Sequence, residues 1–591
     1  MSATTKRTST AAAGETTLLW VGVLGAALVT GVVAGAAHLG HRLDDTGVQL
    51  PHNPFSVLFG VLSGTLPWTT SATSVAGGLT ASLAAAAATV AVLWWRRGAS
   101  RVAVDRAAPH LTRGSALRPM SRLGATATAS RLGVEGSPGL PLGWSLTGQE
   151  LFSSWEDNAV DIWGPRTGKT TARAIPAVLA APGAVLATSN KRDLVDATRD
   201  PRAELGPVWV FDPQGVAEEE PSWWWNPLTY VTDEVKASIL ADLFATAARD
   251  PGARTDAYFD AAARELLAGL LLAAAVARRP LTQVYLWLTD PTDDEPVALL
   301  REAGYPLPAS SVSGVVNAPD KQRAGVYGTA QQQASFMTNR QAMAWVTDSP
   351  AGGGVATPDL GGALNRRSRR QFSTEDFVRT TGTLYSLSRE GRGSAGPLVA
   401  ALTVAVTEAA EQLAIGSAGG RLPVPLVAVL DEAANVCRWR ELPNLYSHYG
   451  SRGIVMMTIL QSWSQGVEVW GRDGMRKLWS AANVKVYGGG VSEVEFLSEL
   501  SQLIGDYDVR SVSTSTGRSG RSTSRSVRRE RVLDVSDLGS LPRGRALLLA
   551  SGVAPTLIKT APWMTGPHAK AVLASIAAHD PSARVRMEAT G

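Results

Sequence analysis

The sequence predicts an α/β fold. A mostly parallel sheet carries a phosphate-binding loop, an all-α domain is inserted into it, and two transmembrane helices precede it. Three observations predict this. From about residue 141 to 575, short apolar strands alternate with helical patterns. One of those strands runs into a turn ending Gly168-Lys169-Thr170, which opens a helix. Residues 46–95 contain no Asp, Glu, Lys or Arg.

The charge-free run sets the order of the argument. The chain has 591 residues, 45% hydrophobic and only 18% charged. A soluble protein carries about 25% charged residues, and a soluble surface is not easily built from fifty charge-free ones, which argues against a fully soluble chain. One cysteine, Cys437, excludes an intramolecular disulfide framework and a Cys-rich metal site. The net charge of +4 and pI near 9.2 permit contact with nucleic acid without requiring it.

Residues 1–17 form a short basic N-terminus. Residues 18–95 form the membrane anchor, with spans at about 18–38 and 75–95. Each is near the roughly 20 apolar residues that cross a bilayer. The second ends Trp94-Trp95-Arg96-Arg97, an interfacial aromatic pair followed by cations. Lys6 and Arg7 precede the first span, and eight arginines against one acid, Asp105, follow the second. The positive-inside rule places both termini in the cytoplasm and the intervening loop outside. A signal peptide is the rival reading of the first span, but the apolar run is longer than the usual one. Gly31 and Gly35 form a GxxxG pattern suited to helix pairing.

Residues 96–140 are basic and rich in Ser, Gly and Pro, and read as a linker. The nucleotide-binding domain spans 141–231 and 365–575. Its candidate strands are 159–163, 184–188, 208–211, 426–430, 454–460, 484–487 and 546–550. Between 232 and 350 the strand signals vanish and helical runs such as 261–277 take over, giving the all-α insertion. A Gly-rich loop at 351–364 leads back to the sheet. Residues 576–591 are a C-terminal tail. Residues 510–531, with seven arginines and one acid, Glu530, cannot build a core. They read as either a solvated loop or hairpin, or a phosphate-contacting arm.

The chemistry centres on Trp163-Gly164-Pro165-Arg166-Thr167-Gly168-Lys169-Thr170-Thr171. Within the binding loop Gly164-Pro165-Arg166-Thr167-Gly168-Lys169-Thr170-Thr171, backbone N–H groups around Gly168 can cradle phosphates, and the helix N-terminus adds positive potential. Lys169 would reach the β- and γ-phosphates, and Thr170 would ligate Mg2+. Lys169 is one of nine lysines among 56 basic residues, so its compact ammonium stands out. The loop departs from the strict pattern, which wants glycine where Trp163 stands. The apolar strand 426–430 then ends in Asp431-Glu432. Asp431 is placed to hold Mg2+, and Glu432 to orient or deprotonate the attacking water. The strand 454–460 ends at Gln461, a polar tip suited to sensing the γ-phosphate, and Arg452 reads either as an arginine finger completing a neighbouring subunit's site or as a surface arginine. Together these residues define an ATP- and Mg2+-dependent nucleoside triphosphatase.

The ordered set resembles the type IV secretion coupling proteins, the TraG/TraD class of conjugative ATPases. It comprises two N-terminal spans, GPRTGKTT, APGAVLATSNKRDL, VWVFDPQG, WNPL, the helical insertion, LDEAAN and ILQSWSQ. The resemblance covers most of the chain and implies a RecA-like motor domain assembled as a homo-hexamer on a bacterial cell membrane, with the ATPase domain in the cytoplasm. It implies DNA delivered with a relaxase as cargo, single-stranded on the favoured reading with double-stranded DNA left open, and secretion-channel components as partners. By position, Lys169, Thr170, Asp431, Glu432 and Gln461 would serve the nucleotide, and Arg452 matches the finger region approximately. Asp212 also stands at a family position. The alternatives are an FtsK-like double-stranded DNA translocase, a type VII-like secretion ATPase, and a membrane scaffold that binds nucleotide without hydrolysing it. The Glu432 carboxylate argues against the scaffold, and an ABC-type signature is missing.

Overall fold

The computed structural model describes residues 10–99, 102–248, 256–348, 369–389, 395–517 and 520–582. Lys6, Arg7, the expected loop at 351–364 and the last nine residues of the tail lie outside them. The chain divides into two units, Met1–Ala103 and Val104–Gly591.

The first unit is helical: Thr10–Leu43, Pro54–Leu62 and Thr70–Ala99. Both expected spans fall inside the long helices. The loop between them holds the short middle helix. Asn53 caps it by accepting from the Phe55 N–H, and Pro54 occupies its first position. Val57 packs there on Ala34 and Ala37. The long helices pack closely at Gly40, where a Cβ would lie 2.5 Å from Ala72. The expected pairing glycines contribute little, because Gly31 faces open space and Gly35 meets only Leu79, at 3.8 Å. Leu28, Val29, Leu79 and Leu83 are exposed, a surface that hydrocarbon would cover. The segment Thr70–Thr89 is long and apolar enough to cross a membrane. Gly396–Ile415 in the other unit passes the same test, but it is a buried core helix.

The second unit carries fifteen strands among the described residues. They are β1 (Leu140–Ser145), β2 (Glu150–Ser153), β3 (Ala159–Ile162), β4 (Val185–Ser189) and β5 (Val208–Phe211). The short β6 (Trp223–Trp224) and β7 (Arg370–Gln371) follow, then β8 (Thr383–Leu387), β9 (Leu426–Leu430), β10 (Ile454–Leu460) and β11 (Val484–Tyr487). The last are β12 (Asp506–Gly517), β13 (Gly520–Arg531), β14 (Arg545–Ala550) and β15 (Val553–Lys559). Eleven form one sheet in the order β2-β1-β15-β14-β11-β3-β10-β9-β4-β8-β5. The seven from β11 to β5 are parallel. They are covered on both faces, so β9 and β10 read as continuous apolar runs with every residue buried. The remaining four extend the sheet antiparallel.

All seven expected strands are present, within a residue or two of the expected ends. The strands β1, β2, β8 and β15 were not foreseen. Residues 103–131, expected as part of a loose linker, are instead folded against the sheet. The isolated acid of that basic stretch, Asp105, makes a two-pronged ion pair with Arg545 of β14, both contacts at 2.8 Å. Val104, Ala107, Leu117 and Met120 of the same stretch are buried.

The expected insertion is helical from Glu234–Ala247 to Arg340–Met343. It leaves and rejoins the sheet through the parallel pair β6–β7. An aromatic cluster of Trp209, Phe211, Trp223, Trp345 and Phe372 fills that junction. Tyr230 donates to Glu408 of the core helix at 2.9 Å, and Lys236 pairs with the same carboxylate.

Candidate nucleotide site

The site forms where the carboxyl ends of β4, β9, β10 and β3 stand side by side, the usual crevice of an open parallel sheet. The β3 strand leads directly into the loop 163–169. Arg166 (φ 59°) and Gly168 (φ 98°) both adopt left-handed backbone to close it. The Thr167 hydroxyl donates to the Gly164 carbonyl at 2.5 Å, and the Thr171 hydroxyl to the Gly168 carbonyl at 3.0 Å. The helix then begins with a π-turn, Thr170–Ala174. Pro165 and Arg166 are exposed at the lip, and Thr170 is half-buried.

Trp163 explains why the loop tolerates the loss of its first glycine. Its side chain is 1% exposed and turns into the core rather than toward the loop. Room for it is made by Gly488, where a Cβ would lie 2.0 Å from the indole. Gly164 in turn sits against Gly490, and its N–H donates to the Gly489 carbonyl at 2.8 Å. The triplet 488–490, following β11, is therefore the loop's backing wall. Sequence reasoning passed over it, although three glycines at a strand's end were the available signal. Gly488→Ala is expected to cost about 1–3 kcal/mol through overpacking against Trp163, read as a lower denaturant midpoint.

The acids arrive on β9. Asp431 and Glu432 are each 2% exposed. Glu432 adopts a left-handed backbone (φ 56°), a strained conformation of the kind that clusters at active sites. Lys169 Nζ bonds to Glu432 Oε1 and lies 3.2 Å from Asp431 Oδ1. Gln461 Nε2 donates to the same Glu432 Oε1 at 2.6 Å. Glu432 Oε2 is buried with no hydrogen-bond partner. Burial pulls the Lys169 ammonium below its usual value, opposed by Asp431. Burial pushes the Asp431 carboxyl up, opposed by Lys169. Lys191 and Asp193, just past β4, add their charges to the same field. Neither had been singled out, because nothing local distinguishes them from helix-start residues.

The structure thus joins Lys169, Asp431, Glu432 and Gln461, with Thr170 at the adjoining turn. Arg452 stands elsewhere. It follows the helix Leu442–Ser451, donates to the Gly420 carbonyl at 3.2 Å and sits at the amino end of β10. Seven strand residues, roughly 23 Å, separate it from Gln461. Asp212 is also outside the site. It accepts from the N–H groups of Val216, Ala217 and Glu219 (2.6–3.2 Å) and shapes the loop after β5.

The donor set suits Mg2+, which takes one or two carboxylates together with phosphate oxygens rather than an all-protein cage. Among the described residues no group of three or more His, Cys, Asp or Glu forms such a cage. The buried Asp431 and the Thr170 hydroxyl are of the right chemistry.

A phosphate-binding loop, a buried acidic pair and a polar tip on the next strand define a P-loop NTPase. A family model described as Type IV secretory system Conjugative DNA transfer matches residues 156–350. A second, described as TraM recognition site of TraD and TraG, matches 425–543. No curated protein matches the chain. Among solved structures, the bacterial conjugative coupling protein TrwBdeltaN70 aligns in an unbound form. The TM-score is 0.51 at 15% identity, over 74% of this chain and 91% of that one. A trigonal form in complex with sulphate gives 0.52 at 14%, over 76% and 94%. TrwB with the ATP analogue ADPNP gives 0.51 at 14%, over 74% and 92%. These likenesses establish a shared RecA-like fold. With the two family matches in chain order, the chain belongs to the type IV secretion coupling proteins.

Proposed function

We propose that the chain is a membrane-anchored ATPase that couples DNA, delivered with a relaxase, to a type IV secretion channel and drives its transfer by ATP hydrolysis. The observation that carries this reading is the convergence of Lys169, Asp431, Glu432 and Gln461 at adjacent strand ends. They converge inside a chain whose residues 156–350 match the conjugative DNA-transfer family.

Lys169 binds the β- and γ-phosphates, which compete with Glu432 for its ammonium. Where Mg2+ accompanies the nucleotide, Thr170 and Asp431 hold it, and it supplies charge neutralisation on the phosphates. Glu432 Oε2 takes the proton of the water that attacks the γ-phosphorus. The new P–O bond forms as the bond to the β-phosphate oxygen breaks, and ADP leaves. Gln461 fixes the carboxylate through its other oxygen. Arg452, remote from its own site, acts on a nucleotide only in trans, across a ring of subunits. The two spans hold both termini and the motor on the cytoplasmic side.

Phosphate release by the detergent-solubilised full chain, with and without single- and double-stranded DNA, tests the proposal. Turnover rises with DNA, and the strand type that raises it identifies the cargo. No turnover, or turnover indifferent to both, refutes the coupling role.

A further inference from the structure

The hairpin β12–β13 pairs twelve residues against twelve, from Asp506↔Arg531 to Gly517↔Gly520. Its strands are roughly 40 Å long at about 3.3 Å per residue. It forms a sheet of its own and joins none of the eleven strands. Directly opposed residues share a face and successive residues alternate, so the register sorts its positions between two faces. One face carries Asp506 with Arg531, Asp508 with Arg529, Arg510 with Val527, Val512 with Arg525, Thr514 with Thr523, and Thr516 with Arg521. The other carries Tyr507 with Glu530 and Val509 with Arg528. Beyond those it carries only serine pairs and the closing glycines. Among the described residues, five arginine positions thus fall on one face and one on the other.

The charge is balanced only at the root. Arg531 lies 2.8 Å from Asp506, and Arg529 lies 3.8 Å from Asp508. Between Asp508 and Glu530 the chain has no acid at all. The positions of Arg510, Arg525 and Arg521 climb one face over six residues, about 20 Å. The root is fixed. Tyr507 stacks on His110 at 3.8 Å, and Ser501 donates to the Leu533 carbonyl at 2.7 Å. The helix that leads into the hairpin, Val494–Ile504, also touches the nucleotide site's neighbour. Glu493 accepts from the Trp463 and Ser464 N–H groups at 2.8 and 2.9 Å, two and three residues beyond Gln461. Phe496 stacks on Trp463 at 5.3 Å.

We infer that the Arg510–Arg525–Arg521 face of this hairpin grips the phosphate backbone of the DNA cargo, and that its stem ties that grip to the Gln461 strand tip. This rests on the reading of the chain as a DNA-coupling ATPase. A ribbon with unbalanced arginine on one face and serine on the other presents charge complementary to phosphate without base-reading groups. A membrane surface fits it poorly. Residues 509–529 hold no Trp, Phe, Leu or Ile to enter the acyl boundary, only three valines.

The test is binding of a labelled oligonucleotide to the full chain across a salt series. Each phosphate contact adds about 0.7 (single strand) to 0.9 (duplex) to the slope of log affinity against log salt. Arg510, Arg521 and Arg525 all changed to Gln are expected to lower that slope by about 2–3 and to remove DNA stimulation of turnover. The same three changed to Lys keep the slope, and Ser513, Ser515 and Ser524 changed to Ala keep it too. If the wild type binds DNA and the Gln variant shows an unchanged slope, the inference falls while the function stands. If the Lys variant loses as much as the Gln variant, the loss belongs to the hairpin's fold and the inference also falls. Loss of binding to phosphatidylserine vesicles with the DNA slope intact would make the hairpin a membrane element instead. A wild type that binds no DNA overturns both readings.

Discussion

Glu432→Gln is expected to bind ATP with near wild-type affinity while losing about 10²–10⁴ in turnover, the usual contribution of a positioned general base. The amide keeps the side chain's shape and can still meet Gln461. It lacks the basic oxygen that now lies buried without a partner. The Lys169 ammonium loses one anionic neighbour but keeps Asp431 at 3.2 Å, so the variant should fold. The check is a pair of measurements on one preparation, nucleotide affinity and steady-state phosphate release. Wild-type turnover would remove Glu432 from the chemistry.

The second large effect is that of Lys169→Ala. It removes the cation between two carboxylates that are 3% and 1% exposed at their side chains. Breaking a buried pair by deleting one partner costs about 3–5 kcal/mol. Nucleotide affinity is lost as well, because the same ammonium serves the phosphates. The stability loss has a definite pH dependence. Burial already raises the Asp431 carboxyl above its ordinary value of 3.8, and losing Lys169 raises it further. A group with a raised folded value contributes stability below its unfolded value and loses it as pH climbs through the folded one. The deficit of the variant should therefore be small near pH 4 and widen toward pH 8. Denaturant unfolding at several pH values without nucleotide measures it. A deficit that widens toward acid would contradict the assigned pairing.

The central parallel strands were legible because both their faces are covered. Ile454–Leu460 has no polar face to disguise it. The missed strand β8, Thr383–Leu387, is equally buried but reads as mixed. Two of its polar side chains, Thr383 and Tyr385, are satisfied by distant partners. Tyr385 meets Thr198 at 2.6 Å, and the Thr383 hydroxyl accepts from the buried Arg202 at 2.8 Å. No local pattern announces such bonds. The strands β1 and β15 hide for another reason. Gly143 breaks the alternation of β1 so that its backbone can approach Lys559, where a Cβ would lie 2.2 Å from the carbonyl oxygen.

Within the site, the residues carried by strand ends were found, since β3, β9 and β10 each stop at a chemically distinctive residue. What escaped was support from elsewhere in the chain: Gly488 behind Trp163, and Glu493 behind the Gln461 loop. Arg452 is a different case: it sits at the opposite end of β10 from Gln461, so the finger role expected of it is one toward a neighbouring subunit's site. The arginine-rich segment has the composition of a mobile loop. Its order comes from cross-strand register, which composition does not encode.

The claim that hydrolysis at this one site drives transfer is tested most directly in donor cells that carry the chain's own secretion apparatus. The frequency of DNA transfer to recipients is measured with the wild-type chain and with Glu432→Gln at equal membrane abundance. Transfer is predicted to fall at least about a hundredfold in the variant, following its loss of turnover. Transfer at the wild-type frequency, with hydrolysis abolished, would contradict the account.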